Sequence, residues 1–408
     1  MAVIQTGRPG HVCVAFSPDG TALAVGASHG VLKVARVPDG RERATLSGHT
    51  AAVRCLAWSP DGQWLASGSA DSTVRIWNGL SYELEMTLTP GTAVTALAFA
   101  PDNRNLVIGC EDGTATIWDL PTQQQRVTLA AHDGATLSLA LSPDAKTLAT
   151  GGIGSVEANG GTPGEVKLWS VGDSKTRATF STGDGRPIQL AFSPNGHTLA
   201  AAISEQTGTV ALWDVDSREP LEGPTGIGAE IQSIAFAPNG KMAVIGFGGT
   251  DERPGRVVLY ELKTWRAQMG LEGHNGGVTD LAFSADGRFL TTAGKDGLTR
   301  LWSMAGAGTA VEQRVDETAQ LREPKDAATL PNGRGGRLKW DFTWSPVERA
   351  EAYEIVVQHV GSANPAVSER VGSTSYRYDK VGAVSPENAE GWVWRVRAVR
   401  DGKPLPLS

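Results

Sequence analysis

His49, Ser67 and Asp71 supply an imidazole, a hydroxyl and a carboxylate, the three groups of an activated-nucleophile triad. In such a set the carboxylate orients the imidazole, which takes the hydroxyl proton. His274, Thr292 and Asp296 repeat the set, with the hydroxyl 18 and the carboxylate 22 residues after the histidine in both cases. An indole follows each set, Trp77 and Trp302. The recurrence argues against catalysis. One active site needs one triad, whereas a repeated scaffold needs the same polar set at the same offset in each unit. No catalytic residue is assigned.

Other chemistries leave little trace. There is no His-Glu-x-x-His, no Cys-x-x-Cys and no Gly-x4-Gly-Lys run. Of the seven histidines, His49, His132 and His274 share one repeat position. His11, His29, His197 and His359 are scattered without metal-ligand spacing. GGIGSVEANGGTPGE (151–165) has the glycine content of a phosphate loop but opens no helix. No metal and no cofactor are expected. Cys13 and Cys55 occupy the same position before a turn and read, with Cys110, as small apolar residues rather than a disulfide framework. A net charge of −7 without a basic run excludes a nucleic-acid footprint. No stretch approaches the ~18 apolar residues of a membrane span. MAVIQTGRPG lacks the charged and apolar regions of a signal peptide, so a soluble cytoplasmic protein is expected.

The elements that must position these residues follow from a second recurrence. AFSPDG (15–20) returns as AWSPDG (57–62), AFAPDN (98–103), ALSPDA (140–145), AFSPNG (191–196), AFAPNG (235–240) and AFSADG (282–287). The starts are 42, 41, 42, 51, 44 and 47 residues apart. Pro-Asp-Gly between apolar runs is a hairpin turn: Pro presets φ, Asp bonds its own backbone and Gly accepts a positive φ. A period in the low forties built from short strands is that of a propeller blade. In the second repeat the strands read as 53–58, 63–69, 73–77 and 84–88.

With the His, Ser/Thr, Asp and Trp positions added, residues 1–303 resemble the WD40 repeat family. The resemblance implies a seven-bladed all-β propeller and a hydrogen-bonded tetrad in each complete repeat. Blade two matches with His49, Ser67, Asp71 and Trp77, and blade seven with His274, Thr292, Asp296 and Trp302. Blade three keeps Asp112 and Trp118 but has Pro90 in the His position. Blade four keeps His132, Thr150 and Trp169 but loses the Asp behind an insertion. Blade five keeps Trp213, blade six has Tyr260 instead, and blade one has neither Trp nor Asp.

Ring closure is also legible. Four outer strands end eleven residues after the Trp position, at Leu46, Leu88, Leu129 and Phe180. The matching residue after Trp302 is Gln313, in a segment unlike the others, whereas residues 2–6 align without gaps on 44–48. Residues 2–6 are therefore read as closing blade seven, with 309–315 as the alternative.

The surplus length of blades four, five and six falls between their second and third strands, in 153–165, 204–208 and 246–256. In a propeller of the WD40 type these loops share one face, the one such proteins most often use for partners. Glu157, Asn159, Glu165, Glu205, Gln206, Asp251, Glu252 and Arg253 are the partner-binding candidates, mostly acidic and suited to a basic or hydrogen-bonding partner. The alternative is that the insertions are tolerated solvated loops, since lengthening a loop costs little entropy.

Residues 304–326, rich in Ala, Gly and charge, read as a linker. FTWSPV, AYEIVV and WVWRVRAV, within 327–408, resemble the fibronectin type III family, with Trp344, Tyr353 and Trp392 as core aromatics. The whole is read as an all-β chain, a propeller followed by a small fibronectin III-like sandwich. It is expected to be a non-catalytic scaffold for partner proteins or peptides, without nucleic-acid or membrane partners. The rivals are a carbohydrate- or surface-binding protein acting through the sandwich and a propeller-type hydrolase.

Overall fold

The computed structural model describes residues 2–5, 10, 12–156, 161–205, 208–224, 229–249 and 255–304. Beyond these it describes only backbone strands between Leu321 and Pro404. Two compact units result, Met1–Ala305 and Gly306–Ser408.

The first unit is seven four-stranded antiparallel sheets arranged as the blades of a propeller. Blade two comprises strand a, Val53–Trp58, strand b, Trp64–Ser69, strand c, Val74–Asn78, and strand d, Leu84–Leu88. The a strands of successive blades pack on one another and line the centre, leaving the d strands outermost. Each a–b hairpin is built by the recurrent turn. In blade two the Ser59 hydroxyl donates to Asp61 (2.7 Å) and accepts the Trp64 N–H (2.9 Å), while Asp61 also takes the Gln63 N–H. Ser17, Ser142, Ser193 and Ser284 repeat this contact with Asp19, Asp144, Asn195 and Asp286. The closing residue has positive φ in every blade, including Asn103 (55°) and Ala145 (58°), where glycine is missing.

Blade seven is completed by the start of the chain. Ala2–Gln5 runs antiparallel to Leu298–Ser303, with Ile4 opposite Thr299. Leu46 lies opposite Leu32, Leu88 opposite Val74, Leu129 opposite Ala115 and Phe180 opposite Val166. In all five pairs the inner partner stands three residues before the Trp position, so the N-terminal strand holds the same register as the other d strands.

The core lies between blades. The last apolar residue of each d strand wedges against the Trp position of the next blade: Leu46 with Trp77, Leu88 with Trp118, Leu129 with Trp169, Leu271 with Trp302, and Ile4 with Ala35. Phe180 stacks on Trp213, ring centroids 4.9 Å apart. Blade five breaks the series. Its d strand is only Pro220–Leu221, and Gly223 and Pro224 follow where the others continue. Proline has no N–H for the ladder and glycine no side chain to pack, so the strand stops short.

In the second unit, Leu321–Glu323, Arg337–Trp344 and Ser375–Val381 form one sheet. Val367–Val371, Ala352–His359, Trp392–Arg400 and Lys403–Pro404 form another. Leu321–Glu323 lies inside the segment read as a linker. The side chains of Trp344, Tyr353 and Trp392 are outside the described residues.

Candidate functional site

Each polar set ties the b–c turn of a blade to the connection entering it from the preceding d strand. In blade two, Trp77 Nε1 donates to Ser67 Oγ at 2.9 Å, and Ser67 Oγ lies 2.8 Å from His49 Nε2. His49 Nδ1 is 2.9 Å from Asp71, which also takes the N–H groups of Thr50 and Thr73. With Nδ1 facing a carboxylate, the imidazole donates there and accepts the Ser67 hydroxyl at Nε2. This is the connectivity of a triad, but Ser67 is fully buried and already bonded to an indole, so no substrate reaches its oxygen. Burial lowers the His49 pKa despite Asp71, keeping the ring neutral. Burial would raise the Asp71 carboxyl, yet the bonds from Thr73, Thr50 and His49 outweigh it and bring its pKa to about 2.

Blade seven repeats the arrangement and adds a cation. Trp302 Nε1 donates to Thr292 Oγ1 (3.0 Å), which lies 2.9 Å from His274 Nε2. His274 Nδ1 is 3.1 Å from Asp296. Arg300, itself buried, donates to Asp296 at 3.1 Å and to the Gly273 carbonyl at 2.6 Å. Arg75 reaches the Gly48 carbonyl (2.9 Å) and Lys167 the Ala131 carbonyl (2.8 Å) from the equivalent strand c position, two residues before the Trp. This fifth member of the network was not among the residues singled out from sequence. Its signal was a basic residue at one offset in four repeats, the fourth being Lys33 of blade one, which pairs instead with Glu42 at 3.0 Å.

Blade four holds a further surprise. Glu165, counted from sequence among the rim candidates, accepts from His132 Nδ1 (2.8 Å) and pairs with Lys167 (2.7 Å). With Thr150 and Trp169 it completes a tetrad whose aspartate is missing from the sequence motif. A glutamate four residues before the Trp has the extra methylene to reach where Asp71 and Asp296 reach from six before. Glu165 is therefore a clamp rather than a free rim group. In blade three, Ile108 replaces the hydroxyl, and Trp118 turns to Thr116 on its own strand (3.1 Å). Gly26-Ala27-Ser28-His29-Gly30 has the spacing of a nucleophile elbow but is the b–c turn of blade one, with no helix after it.

The clamps put the b–c segments and the d–a connections on one face. The elongated segments leave from it with pinched bases. Gly154 N–H donates to the Pro163 carbonyl (2.8 Å), Ser155 to Asp133, and Gly248 N–H to the Glu230 carbonyl (2.7 Å). Arg256 lies over the Phe247 ring at 4.7 Å. Glu205 accepts from Thr209 within its own turn. Glu157, Asn159, Gln206, Asp251, Glu252 and Arg253 lie outside the described residues.

A second constellation occupies the ring centre. The a strand position two residues before each recurrent motif holds Cys13, Cys55, Ala96, Ser138, Gln189, Ser233 and Asp280. Asp280 accepts from the N–H of Val14 in blade one (2.9 Å), from its neighbour Leu281 (2.8 Å) and from Gln189 Nε2 in blade five (3.3 Å). Gln189 Oε1 takes the Ile234 N–H of blade six (2.7 Å). The carboxylate thus links blades seven, one and five, Gln189 extends the link to blade six, and its signal was the only charge in that column of repeats. Burial raises its pKa to about 6, against the pull of the three donors.

A raised carboxyl contributes stability below its unfolded pKa, near 4, and loses it as pH climbs through the folded value near 6. The full shift corresponds to ~3 kcal/mol. Asp280 is only half-buried, and solvent screening reduces the contribution to about 1–2 kcal/mol. From pH 7 to pH 4 the native chain should gain about this much relative to Asp280→Asn. His49, His132 and His274, all lowered by burial, act oppositely below pH 6.5 but are common to both proteins. Denaturant titrations at several pH values give the difference. A flat difference would remove Asp280 as the titrating link.

Among the described residues no group of three or more His, Cys, Asp or Glu side chains could hold a metal, and no helix is long and apolar enough to cross a membrane. A family described as IFT122 first beta-propeller matches residues 11–253, and a WD domain, G-beta repeat, matches residues 265–303. The small ribosomal subunit protein RACK1 of Glycine max is 28% identical over 180 residues, 44% of this chain and 42% of that protein. Eukaryotic translation initiation factor 3 subunit I of Scheffersomyces stipitis is 28% identical over 238 residues, 52% and 63% of the two chains. Pre-mRNA-processing factor 19 of Oryza sativa subsp. japonica is 26% identical over 312 residues, 74% and 56% of the two chains. The chain spans less than two thirds of the length of each of these relatives.

Proposed function

We propose that this chain, which belongs to the family described as IFT122 first beta-propeller, binds partner proteins or peptides through the face that carries its clamped b–c loops. The family is one of interaction scaffolds, and relatives named as a ribosomal subunit protein and an initiation factor subunit are parts of assemblies. The observation that carries the finer reading is the placement of the surplus length. In three consecutive blades it leaves from the face on which the tetrads hold the loop bases. Recognition commonly resides on loops held by a rigid scaffold. The side chains there are mostly acidic, which suits a basic or hydrogen-bonding partner whose association slows as salt rises. We further propose a cytoplasmic location and a fibronectin III-like sandwich for the second unit, which supplies two antiparallel sheets.

The test begins with capture of a partner from the native source and its identification by mass spectrometry. Shortening 154–163 and 248–254 to the length of the turn at 70–73 should leave melting behaviour intact, because the strands that flank them, Thr147–Ile153, Gly164–Ser170, Met242–Phe247 and Gly255–Glu261, are untouched. It should abolish binding of the captured partner. Equal binding by shortened and full-length protein would move the site elsewhere.

A further inference from the structure

Between blades one and two the a–b and c–d turns wall a cleft of about 450 Å³. Its size falls within the roughly 300–1,000 Å³ of ligand pockets. It opens on the face opposite the clamped loops, because the a–b and c–d turns share that side of the ring. Similar clefts open between blades three and four and between blades five and six, so the cavity is a feature of the repeat and names no ligand by itself. The linings differ. The cleft of blades five and six carries the neutral Asn195 and Asn239 at its turn positions, and that of blades three and four balances Asp102 with Arg126. The cleft of blades one and two carries two carboxylates, Asp19 and Asp61, against one cation, Arg43. Asp61 is exposed and commits only Oδ1, to the Ser59 hydroxyl and the Gln63 N–H; its Oδ2 bonds none of the described residues.

We infer that this cleft receives an arginine side chain of an extended partner peptide, its guanidinium at Asp61 and its stem against Trp58 and Tyr82, with an apolar neighbour of that arginine covering Leu80. The excess carboxylate complements a cation and repels an anion. Two aromatic walls suit a guanidinium, which stacks on ring faces while its methylenes cover apolar surface. Both walls are held in place. Trp58 is half-buried and fixed across the blade junction by its Nε1 bond to the Ala15 carbonyl (3.2 Å), and Tyr82 packs on the same cluster as Trp58. Leu80, at the lip, is 88% exposed, yet its N–H is bonded to Asn78 Oδ1 at 2.9 Å. A bonded turn thus holds a large aliphatic side chain in water beside the opening. The inference goes beyond the scaffold reading to a different surface, so the two fail separately.

The probe is the capped peptide acetyl-Ala-Leu-Ala-Arg-Ala-amide, whose Leu and Arg, two residues apart, lie on one side of an extended chain. Titrated into the isotope-labelled full chain, it should shift the Trp58 indole N–H resonance saturably. Replacing Arg by citrulline, its neutral isostere, should weaken binding about three- to fivefold, the worth of a partly exposed ion pair. Asp61→Asn should weaken the Arg peptide by the same factor and leave the citrulline peptide unaffected. Folding should survive this change, because Asn195 keeps the same turn in blade five, accepting the Ser193 hydroxyl at 2.7 Å. Leu80→Ser, at an exposed position, should weaken both peptides about fivefold. The loop-shortened protein should bind the peptide as well as the native one. Absence of saturation at millimolar peptide, equal affinity for the citrulline peptide, indifference to Asp61→Asn, or equal binding of a peptide with Glu in place of Arg would overturn the site. Peptide binding absent while the captured partner still binds the clamped face would overturn the cleft alone. Partner binding that survives loop shortening, with peptide binding intact, would overturn the rim alone.

Discussion

Deleting residues 1–6 should lower the melting temperature of the propeller by roughly 6–10 °C. The segment supplies the outer strand of blade seven, and Ile4 is buried in the cluster joining blades seven and one. Burying an isoleucine contributes roughly 1.5–3 kcal/mol. The ladder to Leu298–Ser303 adds about 1 kcal/mol net per hydrogen bond, offset by ~1–2 kcal/mol for ordering each residue. Removal also uncovers Leu301 and Val12, now buried beneath the strand. The sum is about 3–5 kcal/mol, and a domain of this size shifts by ~2 °C per kcal/mol. Ile4→Ala, which keeps the strand and removes the wedge, should reproduce about half of the loss. An unchanged melting curve for the deletion would mean that the ring closes without it.

Asp296→Ala should be the most damaging of the clamp substitutions, at about 3–5 kcal/mol, the range for a buried ion pair left with one member. The carboxylate joins His274, the N–H groups of Asn275 and Leu298, and the buried Arg300. Without it the guanidinium keeps only the Gly273 carbonyl and a neutral imidazole. Asp71→Ala removes the same contacts in blade two, but there Arg75 bonds the Gly48 carbonyl rather than the aspartate, so the loss should be about 1–3 kcal/mol. Glu165→Ala should fall between them, since Lys167 is paired but partly exposed. Denaturant midpoints of the three variants give the order. Equal losses would show that the cation has no part in the clamp, and no loss at Asp296 would exclude a structural role for the tetrad.

Within the propeller, the sequence by itself determined what is decided inside one hairpin. Ser-Pro-Asp-Gly and its variants set each a–b turn, because Ser59 and Asp61 bond backbone groups within five residues of themselves. The offsets of His49, Ser67, Asp71 and Trp77 set the tetrad of blade two, because a fixed ladder register carries equal spacing into equal position. Tertiary structure alone decided what depends on two strands meeting or two blades packing. Glu165 replaces the lost aspartate from a different residue of the chain, which the packing of His132 against strand c permits and no motif spacing encodes. Arg75, Lys167 and Arg300 clamp carbonyls 27 to 36 residues away. Asp280 acquires its role only when ring closure brings Val14 and Gln189, 266 and 91 residues distant, to one carboxylate.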